Sequence, residues 1–291
     1  MRVALVVNPV SGRGRSRLLA SRVADLLRAG GHPVEIYRSG GPGEIRKRAR
    51  ELSDATERIL VVGGDGTLNE LLNGLADPTR VPIAQLPNGT ANILAHELSL
   101  PREPAGVARM LIEGPVRFLD MGLAGQRRFL MVASAGFDAM VTRSIALRRT
   151  ATLGYLGYVA PILRTLRDYV PPRIEVRVDD GPAVEGQLVL VGNTRNYGGL
   201  FTMADLARCD SGRLDVCVLR NASLGGLVRA AVSGLTGGLS RRDDVVYVTG
   251  RRIRIESDPP VPVQIDGDHA GTTPLEIEIR PAHVPIVLPA G

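Results

Sequence analysis

Short apolar runs alternate with amphipathic helical patterns through the first third of the chain. Each apolar run has the length of a buried strand, and each amphipathic stretch has the period of a helix that covers one face of a sheet. The predicted strands lie at 3–7, 33–37, 59–62 and 83–86, and the predicted helices at 16–29, 43–52, 68–75 and 91–98. This alternation is typical of βαβ units, whose strands are parallel. We therefore expect residues 1–120 to form an α/β domain with a parallel sheet.

The pattern changes after about residue 115, where strand-length runs follow one another with turn signals between them. These runs lie at 116–123, 128–135, 173–178, 187–192, 214–219, 245–248 and 253–256. Two helical stretches, 141–169 and 224–239, interrupt them. Residues 121–279 are therefore predicted to form a mainly antiparallel β-sandwich domain. The last apolar run, 283–288, predicts a strand that returns to the first domain, so that 280–291 completes it.

Composition and charge narrow the class of partner. Hydrophobic residues make up 44% and charged residues 23% of the 291 residues, as in soluble globular proteins. The net charge of +6 suits an anionic partner such as a nucleotide, acidic lipid headgroups or nucleic acid. The basic residues are mostly arginines scattered through helical stretches, so a solvated surface explains them equally. Aromatic residues make up only 3% of the chain, which argues against single-stranded nucleic acid, and we expect no nucleic-acid partner. The sequence leaves a homodimer open.

Three further patterns bear on location. Cys209 and Cys217 lack CxxC spacing and predict reduced core residues of a cytosolic protein. The first apolar run is too short for a signal peptide, and no uncharged apolar stretch approaches the ~20 residues of a membrane span. We therefore expect a cytoplasmic protein.

The strongest chemical signal is the sequence GGDGTLNE at 63–70, which links a predicted strand directly to a predicted helix. Glycines let the backbone approach a ligand closely, and a helix N-terminus offers N–H groups and a dipole that suit phosphate. Asp65 is placed to orient Mg²⁺ or hydroxyl groups, and Thr67 to cap the helix or bond phosphate. Taken alone, the loop is equally consistent with a tight turn that binds nothing.

Two companion loops favour a ligand. NPVSGRG at 8–14 follows the first predicted strand, and PNGTAN at 87–92 follows the fourth. Because the carboxyl ends of parallel strands meet at one sheet edge, the three loops predict a nucleotide cradle. Its candidate nucleotide-binding residues are Asn8, Pro9, Ser11, Gly12, Gly14, Gly63, Gly64, Asp65, Gly66, Thr67, Asn69, Glu70, Asn88 and Gly89. The Walker signature, the protein-kinase HRD and DFG elements and a GxGxxG before the first helix are absent, which disfavours those classes.

These loops, in this order and spacing, closely resemble the diacylglycerol kinase-like catalytic family. That family includes bacterial soluble diacylglycerol kinases, YegS-type lipid kinases, and sphingosine and ceramide kinases. The resemblance continues through LDMG at 119–122, ASAGFD at 133–138, YGG at 197–199, DSGRLD at 210–215 and QIDGD at 264–268. It implies a phosphofructokinase- and NAD kinase-like first domain, ATP and Mg²⁺ as cofactors, and a membrane lipid acceptor reached at the bilayer surface. It also implies that Ser39 and Thr90 contact the nucleotide.

The resemblance places a general base in the turn that contains Asp266 and Asp268. Relatives usually carry Glu where Asp268 stands, and Asp is one methylene shorter, so its carboxylate must approach by a backbone shift or act through water. Asp268 as base, Asp266 as its partner and Asp65 are the predicted catalytic residues. The alternative is that Asp266 and Asp268 only stabilise a tight turn.

The resemblance also implies a structural Mg²⁺ site. In several relatives the ion lies near an Asp-Asp-Gly turn and is linked through water to the Asp that matches Asp120. Here Ser211 replaces the second Asp of that turn, and Asp210 or Asp215 would have to compensate as an oxygen ligand. An ordinary hairpin without an ion is the equal alternative.

The apolar stretch 150–163 has two interpretations. A helix that covers the sheet domain is favoured, and a lipid-facing helix is the alternative, with Arg148, Arg149, Arg164 and Arg167 on anionic headgroups. The sequence thus predicts an ATP-dependent lipid kinase, peripheral at the inner membrane surface, that phosphorylates diacylglycerol or a related lipid. A kinase for NAD or a sugar phosphate, and a catalytically silent nucleotide- or lipid-binding regulator, are the alternatives.

Overall fold

The computed structural model describes residues 1–52, 54–147, 155–199 and 201–290. The strands are β1 (Val3–Val7), β2 (Val34–Arg38), β3 (Arg58–Gly63), β4 (Ile83–Pro87), β5 (Val116–Ala124), β6 (Arg127–Phe129), β7 (Val132–Ala135), β8 (Ile174–Val178), β9 (Val184–Gly186), β10 (Leu188–Gly192), β11 (Asn196–Tyr197), β12 (Phe201–Thr202), β13 (Leu214–Leu219), β14 (Val245–Gly250), β15 (Arg252–Ser257), β16 (Pro262–Ile265), β17 (Asp268–Thr272) and β18 (Leu275–Val287). The α-helices are α1 (Ser16–Ala29), α2 (Glu44–Arg48), α3 (Asp65–Gly74), α4 (Ile93–Glu97), α5 (Pro104–Glu113), α6 (Phe137–Ala146), α7 (Val159–Arg167) and α8 (Leu224–Leu235). Short 3₁₀ helices lie at Ser11–Gly14, Ala49–Glu51, Tyr155–Tyr158 and Leu239–Arg241.

The chain folds into two compact units. The N-terminal unit contains Met1–Leu119 and Ala282–Gly291, and the C-terminal unit contains Asp120–Pro281. The N-terminal unit is built on parallel strands in the order β2-β1-β3-β4, beside which the end of β18 also runs parallel. All five residues of β1 are buried, as a strand covered on both faces requires. The predicted α/β domain with a parallel sheet is confirmed.

Two features of the N-terminal unit differ from the predicted elements. Helix α5 was not predicted, although Pro104 at its first turn and Val107, Met110 and Leu111 at helical spacing are its signals. Helix α3 begins at Asp65, three residues before the predicted start at 68, because the backbone of Asp65 to Thr67 already forms the first helical turn. The carboxylate of Asp65 therefore belongs to a helix N-terminus.

The C-terminal unit is an antiparallel β-sandwich, as predicted. One sheet has the order β14-β13-β10-β7-β16-β17. The facing layer contains β9, β8, β15 and the first part of β18, each antiparallel to its neighbour, together with the β5–β6 hairpin. The core between the layers is packed mainly by aliphatic side chains such as Val189 and Val216 on one side and Ile255 and Ile277 on the other.

Several predicted elements of the C-terminal unit divide or shift. The predicted strand 128–135 is two strands, because N–H groups between them bond the carboxylate of Asp266 instead of a neighbouring strand. The predicted helix 141–169 is represented by α6 and α7, and its middle, residues 148–154, lies outside the described residues. The predicted helix 224–239 ends at Leu235 and is followed by a 3₁₀ turn. The β16–β17 hairpin was not predicted.

Within the ranges that the structure describes, no helix is long and apolar enough to cross a bilayer.

Candidate active site

Two of the predicted loops touch through their backbones in the N-terminal unit. The loops follow the adjacent strands β3 and β4. A Cβ added to Gly89 would lie 2.6 Å from the Cα of Gly64, and one added to Gly64 would lie 2.8 Å from the Cα of Gly89. Only glycine at both positions allows this approach, so the glycine signal in the sequence reflects a real steric requirement.

The loop after β1 is bonded to the same pair. The Asn8 side chain donates to the Thr67 hydroxyl at 3.3 Å, which joins it to the first turn of α3. The Asn88 side chain donates to the Ser16 hydroxyl at 2.9 Å and to the carbonyl of Ser11 at 3.3 Å. Gly12 has φ +57, and a Cβ there would overlap the Asn88 side chain. The structure thus brings the three predicted loops together, and Pro9, Gly14 and Thr90 lie within them.

Asp65 links two of these loops and retains an unused oxygen. Its Oδ2 accepts a hydrogen bond from the Ile93 N–H at 3.0 Å, at the start of α4. Its Oδ1 is buried and has no hydrogen bond from any described residue. Burial raises the pKa of Asp65, although the N–H groups at the start of α4 lower it in part. A buried carboxylate oxygen without a donor beside a glycine loop is suited to a cation.

The other predicted nucleotide-binding residues of this unit mainly hold the loop after β2. Ser39 is buried, its N–H donates to the Val7 carbonyl at 2.9 Å, and its hydroxyl donates to the Gly41 carbonyl at 2.8 Å. Glu70 accepts from the Gly43 N–H at 3.1 Å, and its second carboxylate oxygen has no partner within the described part of the chain. Asn69 is buried on α3 and accepts from the Asn73 side chain. These contacts support the edge of the cradle.

The geometry of the three loops fits a nucleoside triphosphate with a divalent cation. At Gly63, Gly64 and Gly89 a side-chain carbon would meet atoms within 3 Å, so the backbone itself forms the surface. In the first turn of α3 the Thr67 and Leu68 N–H groups donate to the Gly64 carbonyl, and the positive dipole end of this helix N-terminus suits phosphate oxygens. Asp65 supplies the oxygen that a hard cation requires.

In the C-terminal unit, the two aspartates of the β16–β17 turn have different roles. Asp266 adopts φ 47, a left-handed conformation that costs energy for a residue other than glycine. Its carboxylate accepts from the N–H groups of Leu130, Met131 and Val132 at 3.1, 3.1 and 2.9 Å. Asp266 therefore anchors the turn and is not available as a base in this arrangement.

Asp268 is open to solvent and paired with an arginine. Its side chain is 63% exposed, and Oδ2 accepts from the Arg127 guanidinium at 2.7 Å. Sequence reasoning missed Arg127, which is 141 positions away in the chain and has no motif of its own. The exposed carboxylate, held in place by Arg127, is accessible to a substrate hydroxyl.

The three carboxylates of the predicted structural metal site have separate partners. Asp120 accepts from the Gly212 N–H, and Asp210 pairs with Arg208 at 3.2 Å. Asp215 accepts from the Tyr247 hydroxyl, and burial raises the pKa of Asp215. Among the residues that the structure describes, no group of three acidic, histidine or cysteine side chains is placed to hold a metal ion. The structure does not bring Asp120, Asp210 and Asp215 together as such a group.

Each of the two units matches a known family of domains. The model of the diacylglycerol kinase catalytic domain matches residues 2–124, and the model of the YegS C-terminal NAD kinase beta sandwich-like domain matches residues 131–288. A diacylglycerol kinase of Bacillus subtilis (strain 168) is 27% identical over 99% of this chain and 96% of its own length. A probable lipid kinase, YegS-like, of Chromohalobacter salexigens is 30% identical over 91% of this chain and 87% of its own length.

A solved structure agrees over nearly the whole chain. A crystal structure from Bacillus anthracis str. Sterne, titled a "putative diacylglycerol kinase", has a TM-score of 0.81 and 28% identity, and covers 99% of this chain and 95% of that one. Matches to both domain models and to relatives along their full length leave little of the chain unassigned. The chain therefore belongs to the lipid kinase family in which a diacylglycerol kinase catalytic domain precedes a YegS-type β-sandwich-like domain.

Proposed function

We propose that this lipid kinase transfers the γ-phosphate of ATP to the hydroxyl of diacylglycerol or a related neutral lipid. The observation that carries the proposal is the three-loop cradle of the N-terminal unit, in which Gly64 and Gly89 touch through their backbones. The relatives, a diacylglycerol kinase and a probable lipid kinase, support a lipid as the class of acceptor.

ATP with Mg²⁺ supplies the transferable phosphoryl group and neutralises its charge when bound. The glycine backbones and the first turn of α3 would hold the phosphates, and the unpartnered oxygen of Asp65 would hold the cation. Asn8 and Asn88 keep the loop after β1 against this surface. These contacts position the phosphates before any chemistry occurs.

Asp268 is the proposed general base of the C-terminal unit. The acceptor hydroxyl oxygen bonds to the γ-phosphorus as the bond between that phosphorus and the β–γ bridging oxygen breaks and ADP leaves. The proton of the hydroxyl passes to the Asp268 carboxylate. Arg127 fixes the direction of that carboxylate, and Asp266 fixes the turn that carries it. Because 63% of the Asp268 side chain is exposed, a lipid hydroxyl can reach it without moving a core residue.

Contact with the inner surface of the membrane is the second part of the proposal. On α7, the side chains of Val159 and Leu163 are exposed, and Arg164 and Arg167 lie beside them in sequence. An exposed apolar face flanked by arginines suits an acidic bilayer surface. Arg148 and Arg149, the other flanking arginines of the predicted lipid-facing helix, lie outside the described residues. Flotation with liposomes tests this contact, and equal flotation with and without acidic lipid would contradict it.

The acceptor is tested by transfer of label from γ-labelled ATP. The purified chain is incubated with diacylglycerol and other lipids in mixed micelles, and in parallel with NAD and sugar phosphates without detergent. We expect labelled product from diacylglycerol or another neutral lipid. Label in a soluble acceptor alone would favour a small-molecule kinase, and ATP binding without transfer to any acceptor would favour a silent regulator.

A further inference from the structure

A buried carboxylate lies behind the catalytic turn of the C-terminal unit. Asp138 is the second residue of α6, and its Oδ2 accepts from the Tyr197 hydroxyl at 2.6 Å, from the Ser134 hydroxyl and from the Gln264 side-chain amide at 3.5 Å. Its Oδ1 is buried without a hydrogen bond from any residue that the structure describes. We call Ser134, Asp138, Tyr197 and Gln264 the Asp138 cluster.

Strand register places this cluster on one face of the sheet. Ser134 on β7 lies opposite Gln264 on β16, and Gln264 lies opposite His269 on β17. Directly opposed residues of antiparallel strands present their side chains on the same face. Helix α6 packs over β16 and β17, which brings Asp138 onto this polar row.

Gln264 connects the cluster to the turn. Its Oε1 accepts from the Gly267 N–H at 2.8 Å, while its Nε2 donates to Asp138. The amide accepts through its oxygen and donates through its nitrogen, so the two contacts fix the orientation of the Gln264 side chain. Gly267 has φ +85 and directly precedes Asp268. The direction of the Asp268 backbone thus depends on Gln264, and that of Gln264 on Asp138.

We propose that Asp138 is a positioning residue for phosphoryl transfer, which orients Gln264 and through it the Gly267–Asp268 backbone that presents the base. The inference rests on the proposed function, since it needs Asp268 to be the base. The turn is held from two sides: the Asp266 carboxylate binds the backbone between β6 and β7, and the Asp138 cluster binds Gly267. The two supports thus hold Asp266 and Gly267, the two residues of the turn that have positive φ values.

Two substitutions at one position separate orientation from charge. Asp138→Ala removes the oxygen that accepts from Gln264, and Asp138→Asn keeps an oxygen acceptor without the charge. We expect kcat to fall about 10- to 100-fold in Asp138→Ala with KM for ATP unchanged, and to stay within about threefold of wild type in Asp138→Asn. Gln264→Glu, which cannot donate to Asp138, should behave like Asp138→Ala. An equal loss in Asp138→Ala and Asp138→Asn would overturn the positioning role, because charge would then be what matters.

The matched control is Ser257→Ala. Ser257 also takes part in a polar pair of the C-terminal unit, with Thr273 at 2.6 Å, and donates to the Pro259 carbonyl at 3.0 Å. We expect its kcat to equal that of wild type. A comparable fall in Ser257→Ala would show a general loss of the fold and would contradict a specific role for Asp138.

Hydrogen–deuterium exchange of the full chain tests the positioning without a lipid substrate. In Asp138→Ala we expect the Gly267 amide to exchange at least about tenfold faster than in wild type, with strands β10 and β13 unchanged. Unchanged exchange at Gly267, or faster exchange with an unchanged kcat, would overturn the proposal. If wild type phosphorylates no lipid while exchange at Gly267 still depends on Asp138, then the proposed function and the role in transfer fail, and only the structural link stands.

Discussion

The cradle of the N-terminal unit and the β16–β17 turn of the C-terminal unit are built by opposite means. In the cradle, backbones touch directly, as at Gly64 and Gly89, and side chains of one loop hydrogen-bond to neighbouring loops. In the turn, long-range side-chain contacts hold the backbone, with Asp266 bonded to residues 130–132 and Asp268 paired with Arg127. A surface made of backbone suits phosphate oxygens, whereas a carboxylate supported by other side chains can be aimed at one hydroxyl.

This difference predicts that added bulk harms the cradle most. Gly89→Ala places a Cβ 2.6 Å from the Gly64 Cα, and neither backbone can yield without opening the loops. We expect the free energy of unfolding to fall by about 1–3 kcal/mol. We also expect KM for ATP to rise at least about tenfold, since the phosphate surface is displaced. Urea unfolding and steady-state kinetics measure the two effects.

Gly66→Ala is the matched control within the same segment. A Cβ at Gly66 meets no atom within 4 Å, so the fold accepts it. The free energy of unfolding is expected to stay equal or to rise by about 0.5–1 kcal/mol, because alanine favours the helix. A loss of stability as large as that of Gly89→Ala would show that close packing at Gly64 and Gly89 is not what matters.

Within the turn, the comparison predicts a larger loss of stability on substitution of Asp266 than on substitution of Asp268. Asp266→Asn offers one acceptor oxygen where the carboxylate serves three N–H groups, and leaves buried donors without partners. We expect the free energy of unfolding to fall by about 1–3 kcal/mol. Asp268→Asn, at an exposed ion pair, should lower it by less than about 1 kcal/mol. Equal losses measured by urea unfolding would remove the distinction between anchor and base.

Arg127→Gln is expected to have a smaller effect, confined to turnover. It leaves Asp268 without its guanidinium partner at 2.7 Å, and kcat should fall about tenfold while KM for ATP stays unchanged. The control is Arg252→Gln, which breaks an exposed pair with Asp180 at 3.4 Å in the same unit. A kcat of Arg127→Gln equal to that of the control would show that Asp268 does not need this partner.

The smallest expected effect is a change in the pH dependence of stability. Burial raises the pKa of Asp138, so the folded state holds a proton to higher pH than the unfolded chain does. Wild type should therefore lose stability as pH rises from the unfolded pKa through the raised one, and Asp138→Asn should not. Urea unfolding followed from pH 4 up to pH 8 should show Asp138→Asn gaining stability relative to wild type as the pH rises. A constant difference between the two proteins would contradict the raised pKa.

The same difference explains what the sequence could predict. The sequence predicted the parallel strands, the sandwich and the three glycine loops. These features depend on hydrophobic periodicity and on steric requirements, which residues close together in the sequence determine. Arg127 was missed because its contact with Asp268 depends on the packing of distant strands. The β16–β17 hairpin was missed because β16 is only four residues long and begins at Pro262. Asp65 was predicted in the loop, but its bond to Ile93 N–H required the positions of two helices.

The central claim is that the cradle binds ATP while Asp268 removes the proton from the lipid hydroxyl. The most direct measurement is made on Asp268→Asn, with single-turnover transfer to diacylglycerol and the Kd for ATP determined on the same preparation. We expect the transfer rate to fall about 100-fold or more with the Kd for ATP unchanged. The control Asp180→Asn, at an aspartate 94% exposed in an arginine pair, should transfer like wild type. Wild-type transfer by Asp268→Asn, or a parallel loss of ATP binding, would contradict the account.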